Sequence, residues 1–220
     1  NFGRFGYNIA EGLLHYSLRR DLASEVGPRS FRVDLPTNST NNQAKLEIES
    51  VNWVGKTMKI TQEGGTFTQQ VSLLSPFVCY SKLPKSIMLA VENLADMAIF
   101  ETSQGMKSIR LQGQTVLYDK ASHGSLKRPW ILIHKVGNTH PLLLVFPRNP
   151  EKLTIREYEG TIEGFTIELA GNNGTFLAGW PWGTAQTQTD EWTENLPLAI
   201  RDKLDLQAKM ALNFPVNAQE

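Results

Sequence analysis

At 220 residues, 40% of them hydrophobic, the chain is long enough to bury the core of one large domain or two small ones. Its 22 basic and 22 acidic side chains cancel to a formal net charge of +0, which removes the long-range attraction expected of a nucleic-acid binder. No apolar run approaches the roughly 20 residues that a membrane-spanning helix requires, so neither nucleic acid nor membrane is an expected partner.

The chain opens on Asn1 and Phe2, without an initiator Met and without the basic-then-apolar pattern of a signal peptide, and reads as a mature chain or an excised piece. Cys79 is the sole cysteine, so no internal disulfide is possible, and a small core role is expected for it. The compartment stays open on that count. Two sequons, at 38–40 and 173–175, matter only in a host that glycosylates.

Residues 1–30 differ in texture from the remainder of the chain and are set apart as an N-terminal extension. Phe2, Phe5 and Tyr7 alternate with Gly3 and Gly6 in an irregular or strand-like start. Ile9, Leu13, Leu14 and Leu18 then fall at helical spacing and predict a short helix, weakened by Gly12, with a strand as the alternative.

From Phe31 an alternating pattern takes over and predicts a sandwich across 31–189. Phe31, Val33 and Leu35 alternate with Arg32 and Asp34, and Leu46, Ile48 and Val51 with Lys45, Glu47 and Glu49. Two strands flank Gly64 and Gly65, and further short strands are expected near 86–91, 98–101, 108–111 and 115–118. The centre is the pair of apolar runs at 130–133 and 142–146, joined by a turn-rich segment. Both are apolar on successive residues, which requires cover on both faces of the sheet. Strands at 154–158, 164–169 and 175–179 complete the set. Many short strands without intervening helices indicate a large antiparallel β-sandwich, a mainly β fold.

The texture changes again over 190–220. Trp192, Leu196, Ile200, Leu204, Ala208 and Ala211 recur at three-to-four spacing and predict an amphipathic helix. Thr189 or Asp190 is a candidate cap, although Pro197 suits a first turn and argues for a start near Asn195. Asn213 before Pro215 closes it. The apolar stripe is expected to lean on a partner beyond the sandwich, as a connector would.

Few residues stand out for chemistry. Trp180 and Trp182, braced by Pro181 and Gly183, are rigid rings that suit stacking against the C–H faces of a sugar. The competing reading is that they lock the helix onto the sandwich. Asp119, His123 and Arg128 lie on a polar loop before the central strand and are hydrogen-bonding candidates for a sugar, set against a plain solvated loop. His15, His134 and His140 show no metal-ligand spacing, and no metal or cofactor is expected. No pair of carboxylates, phosphate-cradling loop or nucleophile elbow is evident.

Taken together, the many strands, the apolar runs at 130–133 and 142–146, and the terminal helix ending at 213–215 resemble the N-terminal β-sandwich (supersandwich) domain of large bacterial glycoside hydrolases. In those enzymes a linker helix leads into an (α/α) barrel. The resemblance implies a non-catalytic accessory domain whose partner is the catalytic domain of the same parent chain, with carbohydrate as a further ligand. It carries over no catalytic residue, since those lie mainly in the barrel. The alternatives are a stand-alone carbohydrate-binding module and a structural protein-interaction domain.

Overall fold

The computed structural model describes residues 3–8, 13–18, 30–37, 44–51, 55–72, 75–92, 96–135, 141–181 and 196–213. In chain order the strands begin with β1 (Gly3–Asn8), β2 (Leu13–Leu18), β3 (Ser30–Asp34), β4 (Lys45–Val51), β5 (Gly55–Gln62) and β6 (Gly65–Ser72). They continue with β7 (Phe77–Leu83), β8 (Ser86–Glu92), β9 (Met97–Thr102), β10 (Gly105–Arg110) and β11 (Val116–Asp119). After a short helix, α1 (Lys120–His123), come β12 (Trp130–His134), β13 (Leu142–Val145), β14 (Lys152–Tyr158), β15 (Thr161–Glu168), β16 (Gly174–Gly179) and helix α2 (Leu198–Leu212).

The two apolar runs form the hairpin β12–β13, in register from Trp130 opposite Val145 to Ile133 opposite Leu142. Successive side chains on a strand point to opposite faces, and here both faces are covered. Ile131, Ile133, Leu142 and Leu144 enter one apolar cluster, and Trp130, Leu132, Leu143 and Val145 enter another. The hairpin lies inside a nine-stranded sheet of order β10-β9-β12-β13-β16-β7-β6-β5-β4. Opposite it stands a seven-stranded sheet of order β1-β2-β3-β8-β15-β14-β11. The expected large antiparallel sandwich is the observed fold.

The first cluster is the inter-sheet core. The seven-stranded sheet supplies Phe31, Leu89, Phe165 and Ile167, and the nine-stranded sheet supplies Phe67, Tyr80, Phe100 and Phe176. Tyr80 stacks on Phe176 with centroids 5.2 Å apart. In β15 a register shift opposite Arg156 and Glu157 inserts an extra residue, which returns Ile162 to the core. Gly164 sits at that bulge with φ +146, and a Cβ there would lie 2.0 Å from the Leu89 carbonyl oxygen, so a side chain is excluded.

The second cluster lies on the outer face of the nine-stranded sheet, beneath α2. Ile200, Leu204, Ala208 and Ala211 form one stripe of the helix and pack with Phe77, Ile99, Trp130 and Leu177. The stripe predicted from sequence is therefore present, but it is covered by the chain's own sheet and not by a partner beyond the sandwich. Its start is corrected as well. Pro197 is the N-cap residue, and its carbonyl accepts from Ile200 and Arg201 at 3.0 and 3.1 Å. Trp192 and the candidate caps Thr189 and Asp190 lie outside the described residues.

The helix expected around residues 9–18 is not formed by 13–18. That segment is strand β2, paired with β1 and through Tyr16 and Ser17 with β3. Strand β7, not assigned from sequence, has Phe77–Tyr80 fully apolar and buried next to β16.

If the stripe rests on this sheet, Leu204→Ala will cost about 2–5 kcal/mol in urea unfolding, while Leu206→Ala, on the exposed side of the same helix, will stay within about 0.5 kcal/mol. Equal losses would contradict the packing.

Candidate functional site

The polar loop singled out from sequence crosses from β11 in one sheet to β12 in the other. It begins with Asp119 as the N-cap of α1, its Oδ1 accepting from the Ala121 amide at 2.9 Å. The Asp119 amide in turn donates to His123 Nδ1 at 3.0 Å, so the neutral ring carries its proton on Nε2. The imidazole lies over Tyr118, with centroids 6.1 Å apart, and edge-on to Phe100 at 6.0 Å. Tyr118 Oη donates to the Gly124 carbonyl at 3.0 Å. Gly124 closes the turn with φ +75, and a Cβ there would lie 2.5 Å from Ser103 Oγ. Lys120 Nζ pairs with Glu151 at 2.8 Å, tying the turn to the start of β14.

Arg128 faces elsewhere. Its Nε donates to Glu101 Oε2 at 2.6 Å, and its Nη1 is paired with Asp205 Oδ2 on α2. Lys127 Nζ meets the other Glu101 oxygen at 2.8 Å, and Trp130 Nε1 donates to Asp205 Oδ1 at 2.8 Å. Together these bonds form a clamp between the end of β9 and the middle of α2. Lys127 and Arg128 hold the Glu101 carboxyl below its usual range by hydrogen bonding, which favours its ionised form.

Strand alternation explains the separation. Phe100 points into the inter-sheet core and meets His123, whereas Glu101, the next residue, points to the helix-covered face and meets Arg128. Asp119 and His123 are brought together, and Arg128 is set on the other side of the sheet. The three do not converge on one ligand. Trp180 is 1% exposed, inside the inter-sheet core, with its ring 5.2 Å from that of Phe31. Its ring is buried between the two sheets and not in the cluster beneath α2, so it neither offers a face to a sugar nor locks the helix onto the sandwich. Trp182 lies outside the described residues.

The clamp's acidic members escaped the sequence reading. Asp205 is 75 residues from Trp130 and Glu101 is 27 from Arg128, and nothing local marks either. Two buried titratable groups complete the picture. Burial pushes the Cys79 thiol up to about 11, which leaves it an inert core group under α2. Burial likewise pushes His134, at the end of β12, down to about 4. Among the described residues no group of three or more His, Cys, Asp or Glu is arranged to hold a metal ion.

No protein-family model matches the chain, and no curated protein matches it. Among solved structures it is similar to a mutant form of a glycoside hydrolase family 81 protein from Clostridium thermocellum, with a TM-score of 0.45 and 9% sequence identity. The likeness covers 88% of this chain and 23% of that one, so the chain spans less than a quarter of that structure's length.

Two outcomes test these assignments. Arg128→Ala, which leaves Asp205 and the Trp130 indole with an incomplete network, will cost about 1–3 kcal/mol in urea unfolding at neutral pH. For His134 the unfolded chain binds a proton near 6.5 and the folded chain only near 4, so between those values the unfolded state holds more protons. Stability therefore falls as pH drops through that window, by up to about 3 kcal/mol. His134→Gln will flatten the slope, measured as urea midpoints from pH 7 to 4.5.

Proposed function

We propose that this chain is a non-catalytic β-sandwich domain of a multidomain carbohydrate-active enzyme of glycoside hydrolase type, and that it packs against the catalytic domain of its parent. The observation that carries the reading is the outer side of α2. Of the seven large hydrophobic side chains exposed among the described residues, four lie on this helix: Leu198, Leu206, Met210 and Leu212. Leu206 and Met210 are one turn apart on a single face. Exposed apolar side chains gathered on one element mark a contact surface more than scattered ones do.

The state of the loop residues supports the same reading. Asp119, His123 and Arg128 are engaged in a turn and a clamp, which suits a scaffold better than a reaction centre. The pattern of strands followed by a helix, on which the resemblance to the N-terminal supersandwich domain rests, supplies the carbohydrate context. The stand-alone binding module based on Trp180 and Trp182 loses the first of its two rings to the core. A structural protein-interaction domain would use the same helix surface, with a partner from another chain.

The gene decides between these readings. An open frame running past the Glu220 codon into a long helical region is the expected result, and a stop codon there would overturn the accessory-domain reading. Within such a parent, replacing Leu206 and Met210 together by Ser will lower the melting temperature of the catalytic domain while leaving the isolated sandwich as stable as before.

A further inference from the structure

The outer face of the seven-stranded sheet carries an arrangement that neither the loop nor the helix uses. Core-facing residues on its four middle strands are Phe31 and Val33 on β3, Ile87, Leu89 and Val91 on β8, Phe165 and Ile167 on β15, and Leu153 and Ile155 on β14. The residues between them point outward. Register aligns those outward positions in rows across the sheet. Arg32 is opposite Ala90, Ala90 opposite Gly164, and Gly164 opposite Arg156. The next row runs Asp34, Met88, Thr166, Thr154. Beyond it Ser86 lies opposite Glu168 and Glu168 opposite Lys152.

The first row is a trough. Two arginines stand at its ends, three inter-strand spacings or about 14 Å apart. Its floor is an alanine and a glycine that admits no side chain, because a Cβ at Gly164 collides with the β8 backbone. At the Arg156 end, Tyr158 comes two residues later along β14 on the same face and is 62% exposed. Along the side lie the hydroxyls of Thr154 and Thr166. Asp34 is 7% exposed, and its Oδ2 accepts from Arg32 Nε at 2.8 Å, while Oδ1 has no hydrogen-bond partner among the described residues.

We infer that this trough is a saccharide-binding face, and that its ligand is a neutral oligosaccharide lying across the strands from Arg32 to Arg156 with a terminal ring against Tyr158. The chemistry is that of a polyhydroxyl ligand. Arginine and lysine donate, Glu168 accepts, the threonine hydroxyls do both, and the tyrosine ring takes an apolar C–H face. Arg32, Arg156 and Lys152 against Asp34 and Glu168 nearly balance in charge, which selects a neutral ligand over an acidic one. A shallow floor bearing nothing larger than the Ala90 methyl lets a sugar ring approach the backbone. This inference rests on the carbohydrate context of the proposed function and names the ligand class and the surface.

The test is calorimetric titration of the whole chain with neutral gluco-, xylo- and manno-oligosaccharides, alongside amide shift mapping. The expected result is binding by at least one of these series, with shifts at Ala90, Thr154 and Thr166. Tyr158→Ala and Arg156→Ala, both at the surface and outside the core, will each weaken it about tenfold or more. Binding that survives both substitutions, or that shifts amides elsewhere, would overturn the assignment of the face. No binding by any of the three series at millimolar concentration would overturn the inference altogether. Neither failure touches the docking of α2, which is read from the gene and from the helix variants, so the two proposals fail separately.

Discussion

Everything in this molecule depends on burying the β12–β13 hairpin from both sides. Nine residues, from Trp130 to Ile133 and from Leu142 to Phe146, are at most 1% exposed. At about 25 cal/mol per Å² of apolar surface, such side chains contribute strongly to folding, but only if each face has a cover. The seven-stranded sheet covers one face. Among the described residues, α2 together with Leu196 covers the other. The result is three layers, with the nine-stranded sheet in the middle, and the helix is an integral part of the core and not an appendage to it.

Much of that was legible in the sequence. Alternation in 31–35, the glycine turn at 64–65 and the successive apolar residues at 130–133 and 142–146 each match the elements found, because burial on one or two faces writes itself directly into residue order. The stripe Ile200, Leu204, Ala208, Ala211 was equally plain. Its resting place was not, since a helical stripe specifies an apolar surface without specifying which one. Yet two features of the chain together determine it. A central hairpin with two apolar faces needs a second cover, and α2 is the one long amphipathic helix among the described residues. Assigning the stripe to an external partner left that face without a cover.

Other features were hidden for different reasons. Residues 13–18 satisfy a helical and an alternating template at once, because Leu14, Tyr16 and Leu18 also alternate with His15 and Ser17. Pairing with β1 and β3, a tertiary matter, decides for the strand. The loop candidates failed to converge for a reason that lies in strand parity. Whether a loop residue meets Phe100 or Glu101 determines which side of the sheet it serves, and a loop's own sequence does not reveal where it turns. The rows across the seven-stranded sheet are invisible in sequence altogether, since Arg32 and Arg156 become neighbours in a row only once three registers are known.

Apolar packing explains why α2 lies on the sheet, but it leaves open how the helix is fixed along it. A stripe of aliphatic side chains on an aliphatic surface tolerates sliding and rotation at modest cost, since such contacts are non-directional. The helix also begins without a side-chain cap, at Pro197, and so gains little definition from its own end. Asp205 provides the missing direction. One oxygen takes the indole N–H of Trp130, which is buried under the helix and needs an acceptor, and the other meets Arg128. Arg128 in turn is held by Glu101 on the neighbouring strand. Shifting the helix by a single residue would separate Asp205 from both donors, leaving the buried Trp130 indole N–H without its acceptor and Arg128 with Glu101 alone. The clamp at the sheet's end thus sets the register of the third layer, and that register decides which helix side chains face the core and which, Leu206 and Met210 among them, are presented outward.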